Sequence, residues 1–232
     1  MKNHKNHYTT ALVLMAAFVV FTLLLLIVDI QAIGPLGTKV GFGALNGFVA
    51  RTFPENPTWD MIAKVTGILL LLVAAFFAFL GAKQLWERRS ITRVDHDILA
   101  LGAVYAADLV LYVIFEKLVI NYRPVLEDGE LAASYPSSRT VLVFSVFGMA
   151  IAGRFGSIFG SRGLRTAACW ISGILIVAMI ATRLMSGVHW VTDIIGSVFL
   201  SNGLFLLYAA MVNRADQKKT ATVPWGKNYG IS

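Results

Sequence analysis

Two residues late in the chain have the types and spacing of a nucleophile and its orienting carboxylate. His189 and Asp193 are four positions apart, which places them on one face of a helix. In that arrangement a carboxylate can hold the imidazole in a single tautomer. The pair therefore predicts the base and orienting group of a nucleophilic site.

Cations suited to a phosphate accompany this pair. Arg123, Arg139 and Arg183 come from three different boundaries of apolar segments, and converging guanidinium groups can donate paired hydrogen bonds to phosphate oxygens. Ser137 and Ser138 open a predicted helix, whose free N–H groups and positive dipole end favour an anion. Taken singly, such residues at span ends are typical of interfacial anchors. Their number and spacing instead favour phosphate chemistry.

The composition requires a membrane to position these residues. Hydrophobic residues make up 57% of the chain and charged residues 14%, with a mean hydropathy of +0.70, which excludes a disordered chain and a water-soluble monomer. We predict an all-α polytopic membrane protein, a single membrane domain over residues 1–232 with six transmembrane helices in a bundle. The predicted spans are 11–28, 65–82, 98–115, 137–153, 166–182 and 194–212.

The distribution of Lys and Arg predicts the orientation of these spans. Most of these cations lie on one side, which is expected to be cytoplasmic. Both termini should then be cytoplasmic and the candidate site should face outside. The first apolar run is too long for a signal-peptide core and lacks a cleavage site, so we expect an uncleaved anchor. Residues 33–58 should lie on the outer interface, and residues 213–232 should form a mobile cytoplasmic tail.

Other functional classes find less support. The net charge of +7 is typical of cytoplasmic loops, and the basic residues are not interleaved with aromatic ones, so nucleic acid is not a predicted partner. A transporter would predict broken helices and a repeat between halves. Glu127, Asp128 and Glu130 lack a regular ligand pattern and are interpreted as a solvated loop, so no metal is predicted. Asp108, inside the third span, is expected to make an interhelical hydrogen bond.

In the segments that carry the arginines, the serines and the His189–Asp193 pair, the chain resembles the type 2 phosphatidic acid phosphatase (PAP2) family of integral membrane lipid phosphatases. The family signature has three parts: Lys, six residues, Arg-Pro; then Pro-Ser-Gly-His; then Ser-Arg, five residues, His, three residues, Asp. The third part is matched at full spacing, with Thr182 in place of Ser. The matching residues are Arg123-Pro124, Pro136-Ser137, Arg183, His189 and Asp193. The resemblance covers a catalytic core of about residues 116–193.

The resemblance implies a phosphohistidine mechanism without a metal or other cofactor. His189 would be the nucleophile and Asp193 its orienting group. The implied phosphate-binding residues are Lys117, Arg123, Ser137, Ser138 and Arg183. The implied substrate is an undecaprenyl-diphosphate-like lipid, phosphatidic acid or phosphatidylglycerophosphate, at the outer face of a plasma membrane that is expected to be bacterial. Membrane lipids are the expected partners, with no obligatory protein partner.

Two positions depart from the family signature. Glu116 stands where the family has Lys, and Lys117 is one position late, a rotation of about 100° on a helix; whether Lys117 reaches phosphate stays open. Arg139 stands where the family has its general-acid His, and arginine is a poor proton donor. The chain therefore either cleaves lipid diphosphates preferentially, or is an impaired or engineered inactive member that binds phospholipid without turnover.

Overall fold

The computed structural model of the chain describes residues 2–151 and 161–221, with side chains described for residues 7–149 and 161–214. Within these ranges the chain is helical, and its extended pairing is limited to isolated β-bridges. The helices are α1 (Lys2–Leu25), α2 (Gly43–Thr52), α3 (Pro57–Arg88), α4 (His96–Lys117), α5 (Ser138–Val143), α6 (Arg162–Met185) and α7 (Val191–Ala221).

Five helices are long and apolar enough to cross a membrane, namely α1, α3, α4, α6 and α7. They confirm the all-α class and five of the six predicted spans. The segment predicted at 137–153 begins as expected with α5, which continues as a π-helical stretch, Phe144–Ile151. Its predicted end at Gly153 lies outside the described residues, so a sixth span stays a prediction.

All five long helices extend beyond their predicted bounds, and the extensions of α3 and α7 affect the site and the predicted tail. Helix α3 begins at Pro57, with Asn56 as its N-cap residue accepting hydrogen bonds from the N–H groups of Thr58 and Trp59 at 3.1 and 3.3 Å. Hydropathy alone placed the start at Val65, so the polar first two turns were missed. Helix α7 continues to Ala221, so the first part of the predicted tail is helical. Residues 222–232 of that tail lie outside the described residues.

Helix α7 is the central helix of the bundle. Half of the residues in its apolar window are buried, against 17% to 22% in the other four long helices. Helix α1 packs along it, and Gly203 permits the close approach because an added Cβ would lie 2.8 Å from the sulfur of Met15. The outward faces of the other helices carry exposed large apolar side chains, as expected for surfaces that contact lipid.

Polar contacts connect the helices inside this bundle. The Ser145 hydroxyl donates to Asp108 Oδ2 at 2.5 Å, which confirms the interhelical hydrogen bond predicted for Asp108. The stretch predicted on the outer interface folds partly into α2, whose buried Asn46 accepts hydrogen bonds from the N–H and hydroxyl of Thr192 at 3.3 and 3.2 Å. Since Thr192 lies in the first turn of α7, Asn46 caps the central helix from a different segment.

Candidate active site

The end of α6 and the start of α7 form a fixed turn that holds the predicted nucleophile. Gly187 has a φ of +67°, and an added Cβ would lie 2.6 Å from the backbone of Pro54 and Glu55. The Asn56 N–H donates to the Ser186 carbonyl at 3.1 Å. Because these contacts join the turn to the connection before α3, the first half of the chain determines where the turn lies.

His189 and Asp193 form the buried pair that their spacing predicts. His189 Nδ1 lies 3.3 Å from Asp193 Oδ2, and the two residues are 8% and 0% exposed. The same carboxylate oxygen accepts the Trp190 N–H at 2.9 Å, which is the capping-box contact of a residue in the first turn of a helix. Ser134 and Asn121 also lie beside this carboxylate. The imidazole is thus oriented by a side chain that is itself fixed.

The environment of His189 favours its neutral form. Burial lowers the pKa of His189 well below its ordinary value, and the positive charges of Arg183, Arg123 and Arg139 lower the pKa further. A neutral imidazole has a free nitrogen lone pair, so it can act as a nucleophile at neutral pH without first losing a proton.

Arg183 is a completely buried cation at the end of α6. Its residue is 0% exposed, and none of its three guanidinium nitrogens has a hydrogen-bond partner among the described residues. The carboxylate paired with it is that of Asp60 on α3, with Oδ1 at 3.9 Å from Arg183 NH1, which is beyond hydrogen-bond distance. A buried guanidinium in this condition is costly unless an anion completes its hydrogen bonds.

Arg123 is held by a hairpin-shaped connection between α4 and α5. Isolated antiparallel bridges pair Tyr122 with Ala133 and Glu127 with Glu130. Arg123 Nε donates to the Ala133 carbonyl at 3.3 Å, and its NH1 lies 3.2 Å from Glu127 Oε2. The Glu127 side chain is 40% exposed, as expected for a solvated loop, but its pairing with a predicted phosphate-binding cation was not expected.

Arg139 extends from the start of α5 toward α3. Gly67 on α3 makes room for it, since an added Cβ there would lie 3.2 Å from Arg139 Nε. Arg139 is close enough to Arg123, Asp60 and Glu127 to interact with them electrostatically. The side chain in the general-acid position therefore joins the cation cluster around His189.

The two predicted serines have different surroundings. Ser137 is fully buried, and its hydroxyl accepts a hydrogen bond from Thr140 at 3.1 Å. Its carbonyl accepts from the Ser197 hydroxyl at 3.2 Å, which connects α5 to α7. Ser138 is exposed. Ser137 thus lies in the contact between the two helices, while Ser138 is the more accessible of the pair.

Tyr135 anchors the segment before these serines. Its hydroxyl forms a 2.7 Å hydrogen bond with Thr22 on α1, and its ring stacks on Phe18 at 6.0 Å between ring centroids. Gly196 on α7 accommodates the ring, because an added Cβ would lie 2.4 Å from it. The residues that approach His189 from α5 are therefore positioned by α1 and α7.

Lys117 differs from these groups in its environment. It is the last residue of α4, and both Lys117 and Glu116 are exposed. Neither has an ion pair or side-chain hydrogen bond within the described part of the chain. The structure thus brings together Arg123, Arg139, Arg183, His189 and Asp193 from the predicted site residues.

The sequence analysis missed the contribution of α3. Asp60 pairs with Arg183 and, through Oδ2, with Lys64 at 2.8 Å. Asn121 and Ser134, beside Asp193, were missed as well. Asn56-Pro57 is a helix-start signal that places the beginning of α3 before its apolar part. With that start, the spacing of four between Asp60 and Lys64 would have identified them as a pair on one helix face. No comparable signal identifies Asn121 or Ser134.

Over the residues with described side chains, no group of three or more His, Cys, Asp or Glu is placed to hold a metal ion. The ionisable side chains of the cluster are mainly guanidinium groups, which bind anions. A buried imidazole–carboxylate pair under three arginines is suited to accept and stabilise a phosphoryl group.

Two comparisons with known proteins give a match. The family model of the PAP2 superfamily matches residues 68–217, which is more than half of the chain. A solved structure described as the first transmembrane PAP2-type phosphatidylglycerolphosphate phosphatase, from Bacillus subtilis, has the same fold with a TM-score of 0.62. It is 18% identical, and the match covers 93% of this chain and 99% of that one. None of the curated protein sequences matches the chain.

Proposed function

The chain belongs to the PAP2 superfamily, and from this premise we propose that it is a membrane lipid phosphatase acting through a phosphohistidine intermediate. It removes a phosphate from a lipid monophosphate or diphosphate. The family model and the shared fold with a transmembrane PAP2 enzyme support a phosphoric ester hydrolase in a membrane. The family resemblance implies the mechanism, and the residues of this chain support it and the choice of lipid.

The observation that carries the proposal is the buried guanidinium of Arg183 beside the His189–Asp193 pair. A charged group left in a protein interior without hydrogen bonds lowers the free energy of unfolding by several kcal/mol, as when a buried ion pair loses one partner. A phosphate would supply acceptors for that guanidinium while lying next to the imidazole. The unpaired donors of Arg183 therefore make the site complementary to a tetrahedral anion.

The reaction then proceeds in two displacements. Asp193 holds the Nδ1–H of His189, so Nε2 attacks phosphorus, an N–P bond forms, and the bond from phosphorus to the leaving oxygen breaks. Arg183, Arg123 and Arg139 neutralise charge on the equatorial oxygens. Water then attacks the phosphohistidine, the N–P bond breaks, and inorganic phosphate leaves. No redox change and no other reactant is involved.

The leaving group determines which substrates this site favours. A lipid alkoxide needs a proton as it departs, and Arg139 is a poor donor. The leaving group of a lipid diphosphate is a phosphate monoester, whose second pKa is about 6, so it departs as a stable anion. We therefore favour lipid diphosphates over phosphatidic acid or phosphatidylglycerophosphate as substrates.

The same proposal includes the orientation of the protein. The site lies at the end of the bundle where α3, α5 and α7 begin, whereas Lys83, Arg88 and Arg89 lie at the opposite end of α3. The positive-inside rule then places the site outside the cell. In a Cys169→Ser background, an impermeant thiol reagent on intact cells should label Glu130→Cys and not Ser161→Cys; both positions are exposed. The reverse labelling would place the site in the cytoplasm.

The direct test uses purified protein in detergent with two substrates in parallel, a prenyl diphosphate and a lipid monophosphate. Wild-type protein should release inorganic phosphate, faster from the diphosphate. Acid-labile, base-stable labelled phosphoprotein should be trapped from wild type and not from His189→Ala, whose rate should fall by about 10⁴-fold or more. A near-normal rate in His189→Ala would exclude the nucleophile assignment.

The second candidate is a member that binds phospholipid without turnover, and the presence of Arg139 at the general-acid position is the observation that favours it. It predicts binding of both lipids, with no phosphate release and no phosphoprotein from either. Phosphate release that depends on His189 excludes it.

A further inference from the structure

The outer end of α3 presents a polar face toward the arginine cluster. Asp60, Lys64 and Gly67 are spaced at i, i+4 and i+7, so they lie on one side of the helix. Asp60 Oδ2 lies 2.8 Å from Lys64 Nζ, and Asp60 Oδ1 lies 3.9 Å from Arg183 NH1. Gly67, one turn further, leaves the space that Arg139 occupies. This face closes the cluster on the side of α3.

The Asp60 carboxylate lies between a buried cation, Arg183, and an exposed cation, Lys64. An ordinary surface ion pair has no buried partner. Its side chain is 16% exposed, that of Arg183 is 0% exposed, and that of Lys64 is 53% exposed. On the same helix, Lys83 and Glu87 also have i, i+4 spacing, but both side chains are more than half exposed and 3.8 Å apart. The Asp60–Lys64 pair is thus connected to the site, and the Lys83–Glu87 pair supplies a matched comparison.

Lys64 occupies the membrane-facing side of this connection. It lies about 6 Å further along α3 than Asp60, since four residues rise by that distance. Its neighbours Met61, Val65 and Ile68 are exposed apolar residues, as expected for a lipid-facing surface. A lipid headgroup that approaches the arginine cluster from the bilayer therefore passes the Lys64 ammonium.

The geometry of a lipid diphosphate fits this order of cations. The terminal phosphate is the one transferred to His189, so the other phosphate, attached to the lipid, must lie on the side facing the bilayer. Arg183, Arg123 and Arg139 surround His189, whereas the Lys64 side chain is 53% exposed at the surface of α3, beside apolar residues that face lipid. A monophosphate has no second phosphate to place there.

We propose that Lys64 binds the non-transferred phosphate of a lipid diphosphate, with its ammonium positioned by the Asp60 carboxylate. The inference rests on the proposed function and names its substrate class. Glu116 stands where the family signature has a lysine. Lys64, on a helix outside that signature, would supply a cation for the leaving group. The Lys64 ammonium stabilises the monoester as its bond to the transferred phosphorus breaks.

The test compares Lys64→Gln, Lys64→Arg and the matched control Lys83→Gln on a prenyl diphosphate and the corresponding prenyl monophosphate. Lys64→Gln should lower kcat/KM for the diphosphate by about tenfold, as expected for a lost charge-assisted hydrogen bond. The change for the monophosphate should be less than about twofold, a difference typical of exposed charges. Lys64→Arg should keep most of the diphosphate activity, and Lys83→Gln should match wild type.

Binding measurements in a His189→Ala background separate this inference from the catalytic proposal. Without turnover, adding Lys64→Gln should weaken binding of the diphosphate by about tenfold and leave the monophosphate nearly unchanged. Equal losses for both ligands, or no loss for either, would overturn the role of Lys64 whatever His189 does. A failure of His189→Ala to reduce turnover would instead refute the mechanism while leaving the binding result to stand.

Discussion

Two regions of the candidate site differ in burial. The turn that carries the predicted nucleophile is buried, and the hairpin that carries Arg123 is partly exposed. From Arg183 to Asp193 the functional side chains are buried, and Gly187, Asn46 and Trp190 fix the backbone around them. In residues 118–137, Arg123 is partly exposed and is paired with a carboxylate that is 40% exposed. On the proposed mechanism, buried contacts fix the nucleophile and its orienting carboxylate, whereas the Arg123 guanidinium is paired with an exposed carboxylate that a phosphate can displace.

The departures from the family signature follow the same division. The third part of the signature, in the buried turn, keeps its full spacing, whereas the changes at Glu116 and Arg139 lie at the two ends of the hairpin. A buried imidazole–carboxylate pair requires one geometry, so few changes are compatible with it. A half-exposed cation can be replaced or moved while phosphate is still bound.

Arg139→His should produce the largest gain in activity, because it restores a proton donor to the hairpin side of the site. An unperturbed imidazole has a pKa of about 6.5 and can donate a proton at neutral pH. Hydrolysis of a lipid monophosphate should rise on the order of 10² to 10⁴-fold. The gain on a diphosphate should be smaller, since its leaving group is a stable anion.

Arg139→Ala is the control for this change and should improve neither substrate. The measurement is inorganic phosphate release at saturating and limiting substrate. Equal gains on both substrates for Arg139→His would contradict the argument from the leaving group. No gain on either substrate would indicate that the site is disabled elsewhere, with Glu116 the first position to change.

Arg183→Met should separate stability from activity in the buried turn. Activity should fall by about 10² to 10³-fold, as when a donor to the transition state is removed. The ligand-free protein should nevertheless become more stable, by about 1–4 kcal/mol, because an apolar side chain replaces a buried guanidinium without hydrogen bonds. Thermal unfolding in detergent measures the second effect.

Adding vanadate or inorganic phosphate tests whether Arg183 binds an anion. Either anion should raise the unfolding temperature of wild type, because it binds the folded state and completes the hydrogen bonds of the guanidinium. The same anion should have little effect on Arg183→Met. A variant that is less stable than wild type and still responds to the anion would show that Arg183 is only a structural anchor.

The sequence predicted the buried turn better than the rest of the site. Helical spacing placed His189 and Asp193 together, and hydropathy located five spans. Hydropathy missed the polar first turns of α3, and with them Asp60 and Lys64, because a span was recognised only where apolar residues begin. The pairing of Arg123 with Glu127 depends on a hairpin that pairs Tyr122 with Ala133 and Glu127 with Glu130, and no local motif specifies these bridges.

The ionisation of His189 can be tested without turnover. Burial and three arginines lower the pKa of His189. As the pH falls, an ordinary histidine gains its proton first, and the His189 imidazole should stay neutral to a lower pH. NMR of protein labelled at the histidine Cε1 carbon, with His189→Gln to assign the signal, measures this directly. A signal that titrates at or above the ordinary value would contradict the arrangement of the three cations.

Bound phosphate should partly reverse that shift. Its negative charge offsets the arginines, so the pKa of His189 should rise when inorganic phosphate is added. The same addition should not move the other histidine signals. If the His189 signal were insensitive to phosphate, the anion would be binding away from the buried turn.

Glu127→Gln should have the smallest effect, and it tests the claim that the hairpin has exchangeable partners. The Glu127 carboxylate lies 3.2 Å from Arg123 NH1 and is 40% exposed, so phosphate must compete with it for the same guanidinium. Removing the charge should lower KM by about two- to threefold, within the range of exposed ion pairs, and added salt should reduce the difference. Asp128→Asn, an exposed neighbour in the same hairpin, removes an equal charge without touching Arg123 and should leave KM unchanged. If both variants lowered KM equally, the effect would come from the net charge of the hairpin, and the contrast between a rigid turn and an exchangeable hairpin would lose its main support.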